Sequence, residues 1–344
     1  MGKGFCTLDQ AGKLTLNILL TGSSGYIGSK FVDLFSDDYQ IRGLDTNFFN
    51  TGKSESKISK LNKDIRDIDE SDIKGIDIVV HMAELSNDPL GQFSSSLTKS
   101  INIEGTKKLV NIAKNSDIKK FVYMSSCSVY GQNENIVNEN SPTNPLTNYA
   151  KAKVENEELL LNNEFPFEVK ILRNATAFGY SSNHRLDLVI NDLTYNALLN
   201  NQIKLLSDGT PRRPVVHIAD ICNIIKLLIE QNSDEKILIN VGSSKLNYSV
   251  KEMALKISHL TKVRSLTFGS EDKDQRSYNV SFDKFEKLFP KYEFLFDLER
   301  GVSDLIKNDK FYKKTTSSIR VKKLLKLLEE NQLDKSLYWT KSNG

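Results

Sequence analysis

The chain has 344 residues, enough for two domains or for one large α/β unit with an appended lobe. Its 47 Lys and Arg against 44 Asp and Glu leave a net charge of +3 with the charges scattered, which excludes the basic stripe of a dedicated nucleic-acid binder. Three cysteines, Cys6, Cys127 and Cys222, are too few and too dispersed for a disulfide framework or a zinc cage. An intracellular, metal-free protein is expected.

Residues 1–16 are polar and without periodicity and read as a flexible extension that lacks the apolar stretch of a signal peptide. Ile18-Leu19-Leu20 then forms a short apolar run into Gly-rich sequence, as in a strand buried on both faces. Ile27, Phe31, Leu34 and Phe35 recur at helical spacing, and Gln40 to Asp45 reads as the next strand, completing a βαβ unit. Further strands are predicted over 77–81, 120–124, 167–172 and 236–241, and helices near 95–114, 147–162 and 187–200. This alternation predicts an α/β fold with a Rossmann-type doubly wound parallel sheet. Past Gly179 it breaks down. Residues 181–214, with a helix at 250–260 and a strand at 264–268, predict a smaller discontinuous substrate-binding lobe of about 181–214 plus 248–308. The sheet domain then spans 17–180 plus about 215–247. Residues 309–344 form an amphipathic tail in which Val321, Leu324, Leu325 and Leu328 share a face, expected to dock on the protein itself or a sister subunit. No run approaches the roughly 18 apolar residues of a membrane span, so a cytoplasmic location with no membrane partner is expected.

The loop Thr21-Gly22-Ser23-Ser24-Gly25-Tyr26-Ile27-Gly28 lies between the first strand and the first helix. Gly22 permits a tight turn, Gly25 lets backbone approach a pyrophosphate, and Gly28 lets helix and strand pack closely, while the helix N-terminus offers free N–H groups to the phosphates. Asp45 ends the second strand, where a carboxylate accepts hydrogen bonds from the adenosine ribose and repels a 2′-phosphate. The cradle therefore predicts NAD in preference to NADP, although Arg42 on the same strand is a group that accepts phosphate. Asp64 and Ile65 are candidates to flank the adenine.

A second constellation is Tyr149 and Lys153, one helical turn apart, behind the strand end Ser125-Ser126-Cys127-Ser128. A phenol with a reference pKa near 10 is a poor base at neutral pH, and making it one takes about 4 kcal/mol of differential stabilisation, which an adjacent ammonium and an oxidised nicotinamide share. Such a phenolate takes the proton of a sugar hydroxyl as hydride leaves the same carbon, with a serine hydroxyl holding the oxygen in line.

Together TGSSGYIG at 21–28, Asp64-Ile65, His81-Met82-Ala83, Asn102 with Gly105-Thr106, SSCSVYG at 125–131, Tyr149 with Lys153, LRNATAFG at 172–179 and RRPVVHIAD at 212–220 resemble the extended short-chain dehydrogenase/reductase superfamily, in its nucleotide-sugar epimerase/dehydratase branch. The resemblance spans about 17–308. It implies Ser126 as the catalytic hydroxyl with Ser125 as its nearest competitor, Tyr149 as acid/base, and Lys153 as the group that lowers the phenol's pKa and holds the nicotinamide ribose. It adds Met82, Ala83, Asn102 and Ser125 to the cofactor contacts made by Gly22, Ser24, Gly25, Tyr26, Ile27, Gly28, Asp45, Asp64 and Ile65. For a nucleotide-diphosphate sugar it implies Arg213 and Arg276 at the diphosphate, with Ser86, Asn87, Asn174 and Thr176 lining the sugar pocket. It also implies a homodimer.

Relatives that eliminate water carry Thr-Asp-Glu where this chain has Ser126-Cys127-Ser128, so dehydration is disfavoured. What remains is an NAD-dependent epimerase working through a keto-sugar. The alternatives are a 4-dehydrogenase or 4-ketoreductase with net redox, and a non-catalytic NAD-binding regulator or RNA-binding protein. Glu84 departs from the small residues common at its position, Thr176 stands where many relatives have Asn, and His81, His217 and Cys127 read as packing residues.

Overall fold

The computed structural model describes residues 7–8, 14–49, 58–86, 94–231, 236–270, 276–309 and 320–340. At its centre is a seven-stranded sheet. In chain order its strands are β1 (Asn17–Thr21), β2 (Gln40–Asp45), β3 (Ser59–Asn62), β4 (Ile78–His81), β5 (Lys120–Ser126), β6 (Glu168–Asn174) and β7 (Ile237–Val241). Their spatial order is β7-β6-β5-β4-β1-β2-β3, every pairing parallel. Ile18, Leu19 and Leu20 of β1 are wholly buried because helices cover both faces, which is why the strand reads as an unbroken apolar run.

One face packs under α1 (Tyr26–Phe35) and α5 (Ile218–Glu230), and the other under α2 (Gly105–Lys114) and α3 (Asn148–Asn162). Winding reverses between β1 and β4, so a crevice opens at their carboxyl ends. The edge strand β3 was not foreseen, since Ser59-Lys60-Leu61-Asn62 offers one apolar residue and an edge needs no more. The helix expected over 95–114 is interrupted by a π-turn at Lys99–Glu104, which carries Asn102 inward.

Beyond β6, α4 (Val189–Asn200), α6 (Val250–Thr261) and α7 (Leu298–Lys307) enclose a third core around Ile190, Leu193, Met253, Val302 and Leu305. Strand Arg212–His217, which the sequence reading left partly as loop, pairs with Thr176–Phe178 and Asn247–Ser249 and brings Arg213 toward the crevice. In the segment expected to be featureless, Thr7–Leu8 pairs antiparallel with Leu14–Thr15.

The tail docks on its own chain. Helix α8 (Arg320–Glu329) buries Leu324 and Leu327, with Val321 and Leu328 partly covered, in the core that also holds Phe48, Leu333 and Leu337. Leu325, expected on that face, is 38% exposed; Leu327 replaces it, because the buried stripe follows positions 320, 324 and 327. The Trp339 indole N–H donates to the Thr46 carbonyl at 2.8 Å and its ring packs on Phe48, 5.6 Å between centroids. Among the described residues no helix is long and apolar enough to cross a membrane, and no cluster of His, Cys, Asp or Glu is arranged to hold a metal.

Candidate active site

A cavity of about 700 Å³ fills the crevice, running from the β1–α1 loop to the third core. Gly22 has a φ of +75°, which favours glycine, and its N–H donates to the Leu44 carbonyl at 2.7 Å. A Cβ on Gly28 would lie 2.1 Å from the Gly22 carbonyl oxygen, and one on Gly25 would lie 2.9 Å from the same atom. Three glycines therefore pack helix, turn and strand closer than side chains allow. Gly25 caps α1 without a side-chain hydrogen bond, so the first N–H groups of a ten-residue helix stay open to an anion.

Asp45 stands at the end of β2, its carboxylate accepting the Ser24 N–H at 3.1 Å and the Asn47 N–H at 2.8 Å, while burial raises its pKa. Arg42 turns away, donating to the carbonyls of Asp72 and Lys74, so no phosphate-binding arginine from β2 reaches the ribose position. Asp64 lines the cavity, but its carboxylate is taken bidentately by Arg66 at 2.8 Å, leaving backbone and the neighbouring Ile65 to face an adenine. These residues fit a dinucleotide with an unphosphorylated ribose.

The wall opposite is set by a histidine fixed in one neutral form. Thr106 Oγ1 donates to the Asn102 carbonyl at 2.6 Å, so it accepts from His81 Nε2, 2.8 Å away. His81 Nδ1 is then the acceptor for the Thr21 hydroxyl at 2.7 Å, and Thr21 Oγ1 in turn accepts the N–H groups of Met82 and Ala83. Burial pushes this imidazole down to about 3, in keeping with its neutral form. His81 therefore holds the turn that lines the cofactor cleft. Asn102 differs from expectation. It is wholly buried, its side chain exchanging hydrogen bonds with the backbone of Leu85, so it shapes the cavity wall without reaching the cavity.

Ser125, Ser126, Tyr149 and Lys153 converge at the carboxyl end of β5. The Ser125 hydroxyl donates to buried Glu157, whereas Ser126 Oγ accepts the Ser128 N–H at 3.1 Å and keeps its proton for another acceptor. Lys153 Nζ lies 5.4 Å from the Tyr149 ring centroid and donates to the Met124 carbonyl. Its other partner is Glu84, at 2.6 Å, with both side chains almost fully buried; the Tyr123 hydroxyl donates to the same carboxylate at 2.8 Å. The sequence marks Glu84 as unusual, but its pairing with Lys153 appears only in three dimensions.

Beneath them Arg173 grips Glu157 through Nε and Nη2, at 3.0 and 2.7 Å, and reaches the Tyr130 hydroxyl at 3.0 Å, tying β6, α3 and the turn after β5 together. Every charge in this buried network has a partner, which a low-dielectric interior requires. Cys127 points into it, Sγ toward the Arg173 carbonyl, with its thiol pKa raised by burial; it does not line the cavity.

At the far end Arg213 and Arg276 line the cavity with Tyr278, and Arg213 donates to the carbonyls of Arg212 and Arg276. Asn174, Thr176 and Ser86 line the same cavity; Asn174 Oδ1 is buried with no hydrogen-bond partner among the described residues. Asn87 lies outside the described residues. Tyr26 and Ile27 line the cavity, but the Tyr26 hydroxyl is committed to the Gly179 carbonyl at 2.5 Å. Sequence reasoning missed five charged cavity residues: Lys63, Arg185, Asp187, Asp192 and Arg320. Arg185 and Asp187 form an ion pair at 2.8 Å, and Arg320 comes from the tail.

A parallel sheet wound in both directions, a glycine cradle at its switch point and a Tyr–Lys pair beside it define the extended short-chain dehydrogenase/reductase type of fold and site. Residues 18–242 match the model of the NAD dependent epimerase/dehydratase family. The chain belongs to that family, and NAD is accordingly its cofactor. A putative UDP-glucose 4-epimerase of Methanocaldococcus jannaschii is 29% identical over 303 residues, covering 84% of this chain and 97% of the relative. A dTDP-D-glucose 4,6-dehydratase of Mus musculus is 28% identical, covering 73% and 74% of the two chains. The fold is shared with the crystal structure of UDP-glucuronic acid 4-epimerase from Bacillus cereus in complex with UDP-glucuronic acid and NAD, with a TM-score of 0.76 and 22% identity over 87% of this chain and 99% of that one.

Proposed function

We propose that the protein is an NAD-dependent epimerase of a nucleotide-diphosphate sugar, acting by reversible hydride transfer through a keto-sugar. One observation carries this reading: Ser126, Tyr149 and Lys153 share a cavity with a dinucleotide cradle at one end and Arg213 and Arg276 at the other. The cradle residues from Gly22 to Gly28 hold the cofactor's phosphates and Asp45 its adenosine ribose, and NAD supplies the acceptor and later the donor of hydride.

The work of the protein is proton transfer and alignment. The Tyr149 phenolate takes the proton of a sugar hydroxyl, Ser126 donates to the same oxygen to hold it in line, and the Lys153 ammonium favours the phenolate. Tyr149 returns the proton when the carbonyl is reduced from its other face, inverting that carbon and leaving the cofactor as it began. Arg213 and Arg276 match the diphosphate and retain the keto-sugar while it reorients. Elimination of water is disfavoured because no carboxyl pair follows Ser126: Cys127 is packed beneath the site and Ser128 presents a hydroxyl.

The test is incubation of the purified protein with a panel of nucleotide sugars, read by mass spectrometry and sugar NMR. A product of unchanged mass with one inverted carbon is expected. A product two hydrogens lighter or heavier, with matching change in cofactor absorbance, would instead mean a net dehydrogenase or reductase. Loss of water would mean a dehydratase.

A further inference from the structure

Arg320 is 7% exposed, and its Nε and Nη2 are buried with no hydrogen-bond partner among the described residues. Only Nη1 is engaged, with the Ser86 hydroxyl at 3.2 Å, and the guanidinium lies 4.6 Å from the centre of the Phe49 ring. A guanidinium removed from water without an acceptor is costly, and proteins keep one where an anion completes it. Burial, reinforced by repulsion from Arg185, lowers its pKa to about 9, so it stays cationic at neutral pH. The acids in its field are Asp45 and Asp187, and neither forms an ion pair with it: Asp45 accepts the Ser24 and Asn47 amides, and Asp187 is held by Arg185. Tyr26, in the first turn of α1, and Lys323 of α8 are further electrostatic neighbours.

Arg320 also lines the cavity beside the glycine cradle. Helix α8 anchors it there by burying Leu324 and Leu327, and Trp339 and Tyr338 hold the end of the tail against Thr46 and Arg66. The tail thus forms a wall at the adenosine end of the cleft. Arg320 lines the same cavity as the first turn of α1, where the helix N-terminus offers N–H groups to an anion.

We propose that Arg320 completes the cofactor site by donating to the pyrophosphate of NAD, so that the tail helix clasps the bound dinucleotide. The diphosphate of the sugar nucleotide is the other anion of like chemistry, but Arg213 and Arg276 serve that end of the cavity. The assignment concerns the cofactor alone and stands apart from the epimerase reading; its test measures binding, without turnover.

The test compares wild type with Arg320→Met and Arg320→Lys, stripped of cofactor, by calorimetric titration with NAD, ADP-ribose, adenosine and UDP and by thermal melting. Arg320→Met should weaken NAD and ADP-ribose roughly ten- to hundredfold, leave adenosine and UDP within twofold, and be restored in part by Lys. Its apo form should melt no lower than wild type, because an uncompensated buried charge has been removed, while the rise in Tm on adding NAD should shrink. Unchanged NAD affinity would overturn the proposal. So would a loss confined to UDP, an equal loss for adenosine, or a lower apo Tm with an undiminished rise on NAD.

Discussion

Lys153 is shared between two tasks at the scale of a residue. In the proposed mechanism its ammonium favours the Tyr149 phenolate, while Glu84 at 2.6 Å draws on the same charge. Tyr149→Phe removes the proton acceptor and keeps the ring, so kcat should fall about a hundredfold or more while NAD binding, followed by titration, stays near wild type. Glu84→Gln leaves the ammonium unopposed. Tyr149 then loses its proton at lower pH, and the acid limb of kcat/KM should move down by up to about one pH unit. A limb that stays put or moves up would show that Glu84 only positions Lys153. The tyrosine and lysine are legible in the sequence because helical spacing joins them. Glu84 and Lys153 lie on different elements far apart in the chain, as do Arg320 and the cradle, so no local pattern marks either pairing.

Elements were legible where periodicity decides burial. Strands β1, β5, β6 and β7 follow apolar runs, and α3 and α6 were found within two residues of their ends. Edge strand β3 and strand Arg212–His217 escaped, one being polar and the other opening with two arginines and a proline. The tail was legible as amphipathic, but the stripe alone does not say where it lands. It lands on the sheet's core beside Phe48, so truncating Leu324 should loosen that packing. Leu324 is 1% exposed, and Leu324→Ala should lower the protection of α8 amides in hydrogen exchange by about 2–5 kcal/mol. Protection unchanged within about 0.5 kcal/mol would mean that the helix is held by other contacts.

Across the whole molecule, three histidines are buried in neutral form. Burial sets His81 at about 3 and His184 at about 4, and also lowers His217. The unfolded chain titrates them near 6.5, so below that pH it binds protons that the native state refuses. Their stabilising contribution is complete above about 6.5 and declines as pH falls toward 4 and then 3. His81 and His184 each contribute a slope on the order of 1 kcal/mol per pH unit in that window, and His217 adds in the same direction. Urea unfolding between pH 7 and 5 should show stability falling with acid, and His81→Gln should make the fall shallower whatever its effect at pH 7. A flat profile would contradict this.

The hydrogen bond between Trp339 and Thr46 ties together two segments 293 residues apart in the chain. That side of the cleft is therefore a long-range contact, formed only when the two segments meet in folding. A clasp of the kind proposed for Arg320 couples exchange of the coenzyme to movement of α8. Trp339→Ala, which removes this tie, should then lower the amount of dinucleotide that stays with the protein through purification.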